Sequence, residues 1–193
     1  MKKYLRLAVV LLLVSCGGGE NRAPRNLDDA CSILDERPHY LKALRKSERQ
    51  WGIPMSVQMA AIYQESKFIG NAKTPHRFAL GIIPMGRQSS AYGYSQAIDG
   101  TWDDYRDATG RTGARRNRFN DAADFMGWYM SQASSKLGIS PYDASNLYLA
   151  YHEGMAGYSR GSHFEKAWLM RVAANVGDRS TLYERQLIAC GKI

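Results

Sequence analysis

The chain has 193 residues, 45% of them hydrophobic, with 26 Lys and Arg against 18 Asp and Glu and a net charge of +8. That length and apolar share can bury the core of one domain; they exclude a wholly disordered chain, and no second domain is expected. Three cysteines are too few for a disulfide-dense scaffold, and the basic balance favours anionic partners without choosing among glycans, lipid head groups and nucleic acid.

Met1-Lys2-Lys3-Tyr4-Leu5-Arg6 and the apolar run from Leu7 to Val14 have the basic-then-apolar layout of a secretory leader. The run is far shorter than the roughly 20 residues that cross a bilayer. Leu13-Val14-Ser15-Cys16 resembles the lipobox of bacterial lipoproteins, which implies a leader over 1–15 and a membrane anchor on lipidated Cys16. The alternative is an ordinary secretory leader with a spare cysteine. With Gly17 and no aspartate after Cys16, delivery to the outer membrane, facing the periplasm, is the expectation. Export argues against nucleic acid as a partner. Residues 16–26 lack periodicity and are expected to form a flexible tether, and 27–193 the folded domain, acting as a monomer. Cys31 and Cys190 stand near the two ends of that domain, in a compartment that permits disulfides. A bridge between them is expected, with two buried free thiols as the alternative.

Pro54 opens a helix in which Met55, Val57, Met59, Ala60, Ala61, Ile62 and Tyr63 leave little room for a wet face. Glu65 falls on the stripe Val57, Ala61, Phe68. A carboxyl there loses hydration, which raises its pKa and suits it to donate a proton near neutrality. Alternatively the helix ends here and Glu65 points into water. Arg77 to Met85 reads as extended. Ser90-Ala91-Tyr92-Gly93-Tyr94-Ser95-Gln96-Ala97 sets glycine, for close backbone approach, among tyrosines able to lie against a sugar and a hydrogen-bonding amide. Asp99-Gly100-Thr101 leads into a helix holding Trp102 and Tyr105. The basic cluster Arg111, Arg115, Arg116 and Arg118 reads as a solvated loop.

Asn120 could cap a helix whose apolar positions run from Ala122 to Leu137 before Gly138 stops it. Ser140-Pro141-Tyr142-Asp143 starts another. Tyr148-Leu149-Ala150-Tyr151-His152-Glu153-Gly154 reads as an aromatic helix end stopped by glycine. Ser162-His163-Phe164-Glu165 has the form of a capping box opening a helix to about Val176, and Asp178 to Ala189 forms one more. Repeats and βαβ alternation are absent. The fold class is mainly α, or α+β, a helical single domain with at most a small sheet or hairpin.

Three motifs in this order, Glu65-Ser66, Gly93-Tyr94-Ser95-Gln96 and Ala150-Tyr151-His152-Glu153-Gly154, resemble those of SLT-type lytic transglycosylases, whose domain is similar to goose-type lysozyme. In that family a Glu-Ser pair ends a buried helix, a Gly-Leu-Met-Gln turn follows, and an Ala-Tyr-Asn-x-Gly segment comes later. The likeness covers roughly Tyr40 to Val176. Tyr94-Ser95 replaces Leu-Met and His152 replaces asparagine, departures that touch sugar recognition and leave the glutamate intact.

The resemblance implies a lysozyme-like fold, peptidoglycan glycan strands as partner, and no cofactor. It also implies that Glu65 protonates the oxygen between N-acetylmuramic acid and N-acetylglucosamine while the substrate's own acetamide supports the cationic centre. Glu65 then takes the proton of the muramoyl 6-hydroxyl, giving a 1,6-anhydro product. Ser66, Tyr92, Gly93, Tyr94, Ser95, Gln96, Tyr148, Tyr151 and His152 form the expected glycan-binding set. Two alternatives stand beside it: hydrolysis of the goose-lysozyme kind with Asp99 helping to position water, and a lipoprotein that grips glycan without cutting it.

Two other motifs carry less. Gly157-Tyr158-Ser159-Arg160-Gly161 fits the G-x-S-x-G pattern, but that elbow joins a strand to a helix, with an acid and then a histidine beyond it. Here a helix precedes it and His163 comes before Asp178. His152-Glu153 lacks a second histidine at Ala156, so no zinc or other metal is expected.

Overall fold

A computed structural model describes residues 21–79 and 83–193; the leader, Cys16 and the first part of the tether lie outside them. The described chain forms α1 (Ala30–Glu36), α2 (Pro38–Trp51), α3 (Met55–Ser66), a hairpin of β1 (His76–Ala79) and β2 (Ile83–Arg87), α4 (Asp99–Thr109), α5 (Phe119–Leu137), α6 (Ala144–Ser159) and α7 (Ala167–Ala189). This is a mainly α single domain. The two strands are antiparallel and realise the extended stretch from Arg77 to Met85, of which residues 80–82 are outside the described ones.

Every residue of α3 from Met55 to Ile62 is buried. A helix without a wet face must be covered on all sides, and α2, α5, α6 and α7 all pack on it. Around its end sits an aromatic cluster, with Tyr40 stacked on Phe119 at 3.5 Å between centroids and on Phe68 at 6.0 Å. A second cluster joins Trp102, Tyr105, Phe125 and Tyr129 under α4.

Beside that cluster Asp124 is buried yet fully engaged. The Tyr105 hydroxyl donates to it at 2.6 Å, Arg111 pairs with it at 3.1 Å and the Trp51 indole N–H lies 3.3 Å away. The basic loop is therefore only in part a solvated surface. Arg111 neutralises a buried charge, and Arg116 donates to the carbonyls of Ser90 and Ala97 and to Asp99.

Several boundaries differ from the sequence reading. Asn120 lies inside α5, whose N-cap is Arg118, and α6 runs on past Gly154 to Ser159 instead of stopping at the glycine. Asp143 caps α6 by accepting from the Asn146 N–H at 3.0 Å, so the helix starts at Ala144 and Pro141 lies in the preceding turn. Ser162–Glu165 is one 3-10 turn without a side-chain cap. Beyond it α7 is a single helix of 23 residues, where two helices were expected. Gly177, which falls between the two expected helices, passes through α7 as helix: a Cβ there would collide with Ser145 Oγ, so the glycine serves the close approach of α7 to the start of α6.

Cys31 and Cys190 form a disulfide, with Cα atoms 6.5 Å apart across a sequence separation of 159. Of the expected tether, Asn21 and Arg25 touch the domain: the Asn21 carbonyl accepts from the Gly70 N–H at 3.1 Å and the Arg25 N–H donates to Glu36 at 3.0 Å.

Candidate active site

Helix α3 ends where its chain turns left-handed at Lys67 and Phe68. Glu65, one residue before the helix end, looks into a cleft of about 330 Å³ also lined by Gln96, Ala97, Ile98, Thr101, Tyr129, Tyr151, His152, Glu153 and Gly154. Burial pushes its carboxyl up to about 7, against the opposing pull of a hydrogen bond from the Tyr148 hydroxyl and the charge of Lys67. Of the two readings left open by the sequence, Glu65 follows the first: it is half-buried and lines the cleft.

The turn from Tyr92 to Ala97 forms one wall. Gly93 has φ +80°, and a Cβ there would run into the Arg116 carbonyl, so this position demands glycine twice over. Ser66 fastens the turn to α3, its hydroxyl donating to the Tyr94 carbonyl at 2.7 Å. Gln96 is itself left-handed, φ +51°. Its amide NH2 donates to the carbonyls of Ala72 at 3.1 Å and Gly93 at 2.7 Å. Both donors are thus spent on the loop, and the acceptor oxygen is what Gln96 can offer the cleft.

The opposite wall comes from α6. The Tyr151 hydroxyl donates to the Ser95 carbonyl at 2.5 Å, tying the two walls together, and burial drives its pKa far above the usual value. Tyr148 is pushed up likewise; both stay neutral donors. The helix kinks at Gly154, with φ 72° and ψ 156°, a region essentially closed to other residues. Space around it is open, so conformation alone demands the glycine. The kink leaves Glu153 facing the start of α7. Its side chain is 4% exposed, and hydrogen bonds from Lys166 and Ser162 hold its carboxyl down near 2.

The expected glycan-binding residues thus divide. Glu65, Gln96, Tyr151 and His152 share the cleft, and Tyr148 reaches it through its bond to Glu65. Tyr94 is 1% exposed and its hydroxyl accepts from that of Tyr40 at 3.0 Å, so its ring belongs to the aromatic core. Ser66 and Gly93 shape the wall. Ser95 is fully buried, its hydroxyl lacking a hydrogen-bond partner. Tyr92 lines a neighbouring hollow with Trp102 and Arg116. Asp99 does not line the cleft: it is 65% exposed and paired with Arg116 at 2.7 Å. Sequence reasoning weighed Glu153 only as half of a zinc motif and missed its clamp by Lys166. It also passed over Tyr129, Ile98 and Trp168, the last half-exposed beside His152 with ring centroids 5.3 Å apart. Among the described residues no group of His, Cys, Asp and Glu is arranged to hold a metal ion, and no helix is long and apolar enough to cross a membrane.

A desolvated acid that keeps its proton to about neutrality and faces a cleft can protonate a leaving oxygen. No curated protein matches the chain. A sequence profile of the transglycosylase SLT domain matches residues 4–190, nearly the whole length, and the chain therefore belongs to that family of lytic transglycosylases acting on peptidoglycan.

Proposed function

We propose that the protein cleaves the β-1,4 bond between N-acetylmuramic acid and N-acetylglucosamine with one carboxyl group, Glu65, acting first as acid and then as base. Glu65 gives its proton to the glycosidic oxygen, and the oxocarbenium-like centre left behind is supported by the substrate's own acetamide. The Glu65 carboxylate then removes the proton of the muramoyl 6-hydroxyl, whose oxygen closes onto the anomeric carbon. The product carries a 1,6-anhydro bond and no water is consumed.

The observation that carries this reading is the contrast between the two carboxyl groups of the cleft. Ordinary glycosidases flank the scissile bond with a pair, although substrate-assisted families do not. Here Glu65 is half-buried and held up to about 7 by desolvation, whereas both oxygens of Glu153 are taken by Lys166, one of them also by Ser162. Glu153 is thus poorly suited to be the second reacting group. The hydrolytic alternative has less support, because Asp99 is paired with Arg116 outside the cleft.

The leader over 1–15, lipid attachment at Cys16, the tether and an outer-membrane address facing the periplasm complete the proposal, on the strength of the sequence motif. Glu65→Gln is the test. It should still bind purified sacculi but release no muropeptides, while the wild type yields anhydro ends by mass spectrometry. Reducing ends would mean hydrolysis, and no release by the wild type would leave a binding protein.

A further inference from the structure

The cleft holds an ionised group that the proposed chemistry does not use. Lys166 Nζ reaches both oxygens of Glu153, at 2.7 and 2.8 Å, and the Ser162 hydroxyl donates to Oε2. His152 Nδ1 lies 3.1 Å from Oε1. A carboxylate can only accept, so the proton between these two side chains sits on the imidazole, at Nδ1. Neutral imidazole has a single N–H, which leaves a lone pair on Nε2. Among the described residues Nε2 has no protein partner, and His152 lines the same cleft as Glu65 and Gln96. The ring stands edge-on to Trp168 of α7, so its orientation depends on the junction of α6 with α7.

We propose that Glu153 is a positioning residue: it fixes the His152 ring with its proton on Nδ1, so that Nε2 offers the cleft a hydrogen-bond acceptor for an O–H or N–H of the glycan. This rests on the reading that the cleft takes a glycan strand. The site then presents protonated Glu65 as the donor to the leaving oxygen. Two acceptors, Gln96 Oε1 and His152 Nε2, receive hydrogens from the flanking sugar groups. Lys166 and Ser162 engage both Glu153 oxygens, so that no free carboxylate in the cleft competes for the same hydrogens or repels ionised Glu65 during the second step.

Two-bond proton–nitrogen NMR spectra of the unliganded protein, in mildly alkaline buffer and with His152 assigned by its loss in His152→Phe, should show the proton on Nδ1. Glu153→Gln supplies one carbonyl oxygen where two were needed and turns an amide N–H toward the ring, which should move the proton to Nε2. With sacculi, His152→Phe and Glu153→Gln should each lower kcat/KM about tenfold, mostly through KM. The double variant should be no worse than His152→Phe. A wild-type proton on Nε2, an unmoved proton in Glu153→Gln, or additive losses in the double variant would overturn the proposal. Should Glu153→Gln not fold, the wild-type spectrum decides alone. The spectra need no substrate, so a wild type that releases no muropeptide sinks the proposed function and leaves the Glu153–His152 arrangement to be judged separately.

Discussion

Glu65 costs the fold something at neutral pH, and the sign of that cost is fixed by its shift. Below its unfolded value of 4.5 the carboxyl is protonated in both states and contributes nothing adverse. Between 4.5 and about 7 the unfolded chain ionises first, so stability falls as pH rises, until the loss is complete above the folded value. Glu65→Gln titrates in neither state. It should therefore be more stable than the wild type at pH 8, by about 3 kcal/mol, with the gap closing by pH 4. Thermal melts of both proteins at the two pH values check this; a constant gap would show that Glu65 is not desolvated. Activity should move with the same group. Muropeptide release should decline about tenfold per unit above pH 7, as the acid form is depleted.

At the scale of elements, the kink of α6 joins sequence to site. Gly154→Ala forces a side chain into backbone angles that only glycine tolerates, at a cost of about 1–3 kcal/mol. The helix should relieve this by straightening, which pulls Glu153 from Lys166 and turns His152. Circular dichroism should show a folded protein of lower stability whose release of muropeptides falls by about the tenfold expected of His152→Phe; full activity would mean the kink is dispensable. The sequence announced α3 because Met55, Val57, Met59, Ala60, Ala61, Ile62 and Tyr63 leave the helix little room for a wet face, and burial from Met55 to Ile62 follows. It hid the continuity of α7, because Gly177 looks like a stop until Ser145, distant in the chain, is seen against it. Glu153 was hidden for the same reason. Its partners stand 9 and 13 residues away, beyond a kink that no helical period foretells. Tyr94 was misjudged because a tyrosine beside glycine suits a sugar as well as a core, and only Tyr40 and Phe119 decide between them. Side chains facing their own helix or turn were legible; those whose role depends on a remote element were not.

For the molecule as a whole, the disulfide links α1 to the end of α7 across 159 positions of sequence. Replacing both cysteines by alanine should lower the unfolding free energy by about 2–5 kcal/mol, which denaturant titration of the oxidised protein and the variant would read. An unchanged midpoint would mean that α1 and α7 hold without the bond. Every residue of the cleft lies inside the covalent ring that this bond closes. A protease that nicks the exposed stretch after β2, such as on the carboxyl side of Arg87, would therefore cut the polypeptide without releasing either piece. The nicked species should migrate as one band on a denaturing gel until a thiol reductant is added, and then as two, while the walls around Glu65 stay assembled in the interval.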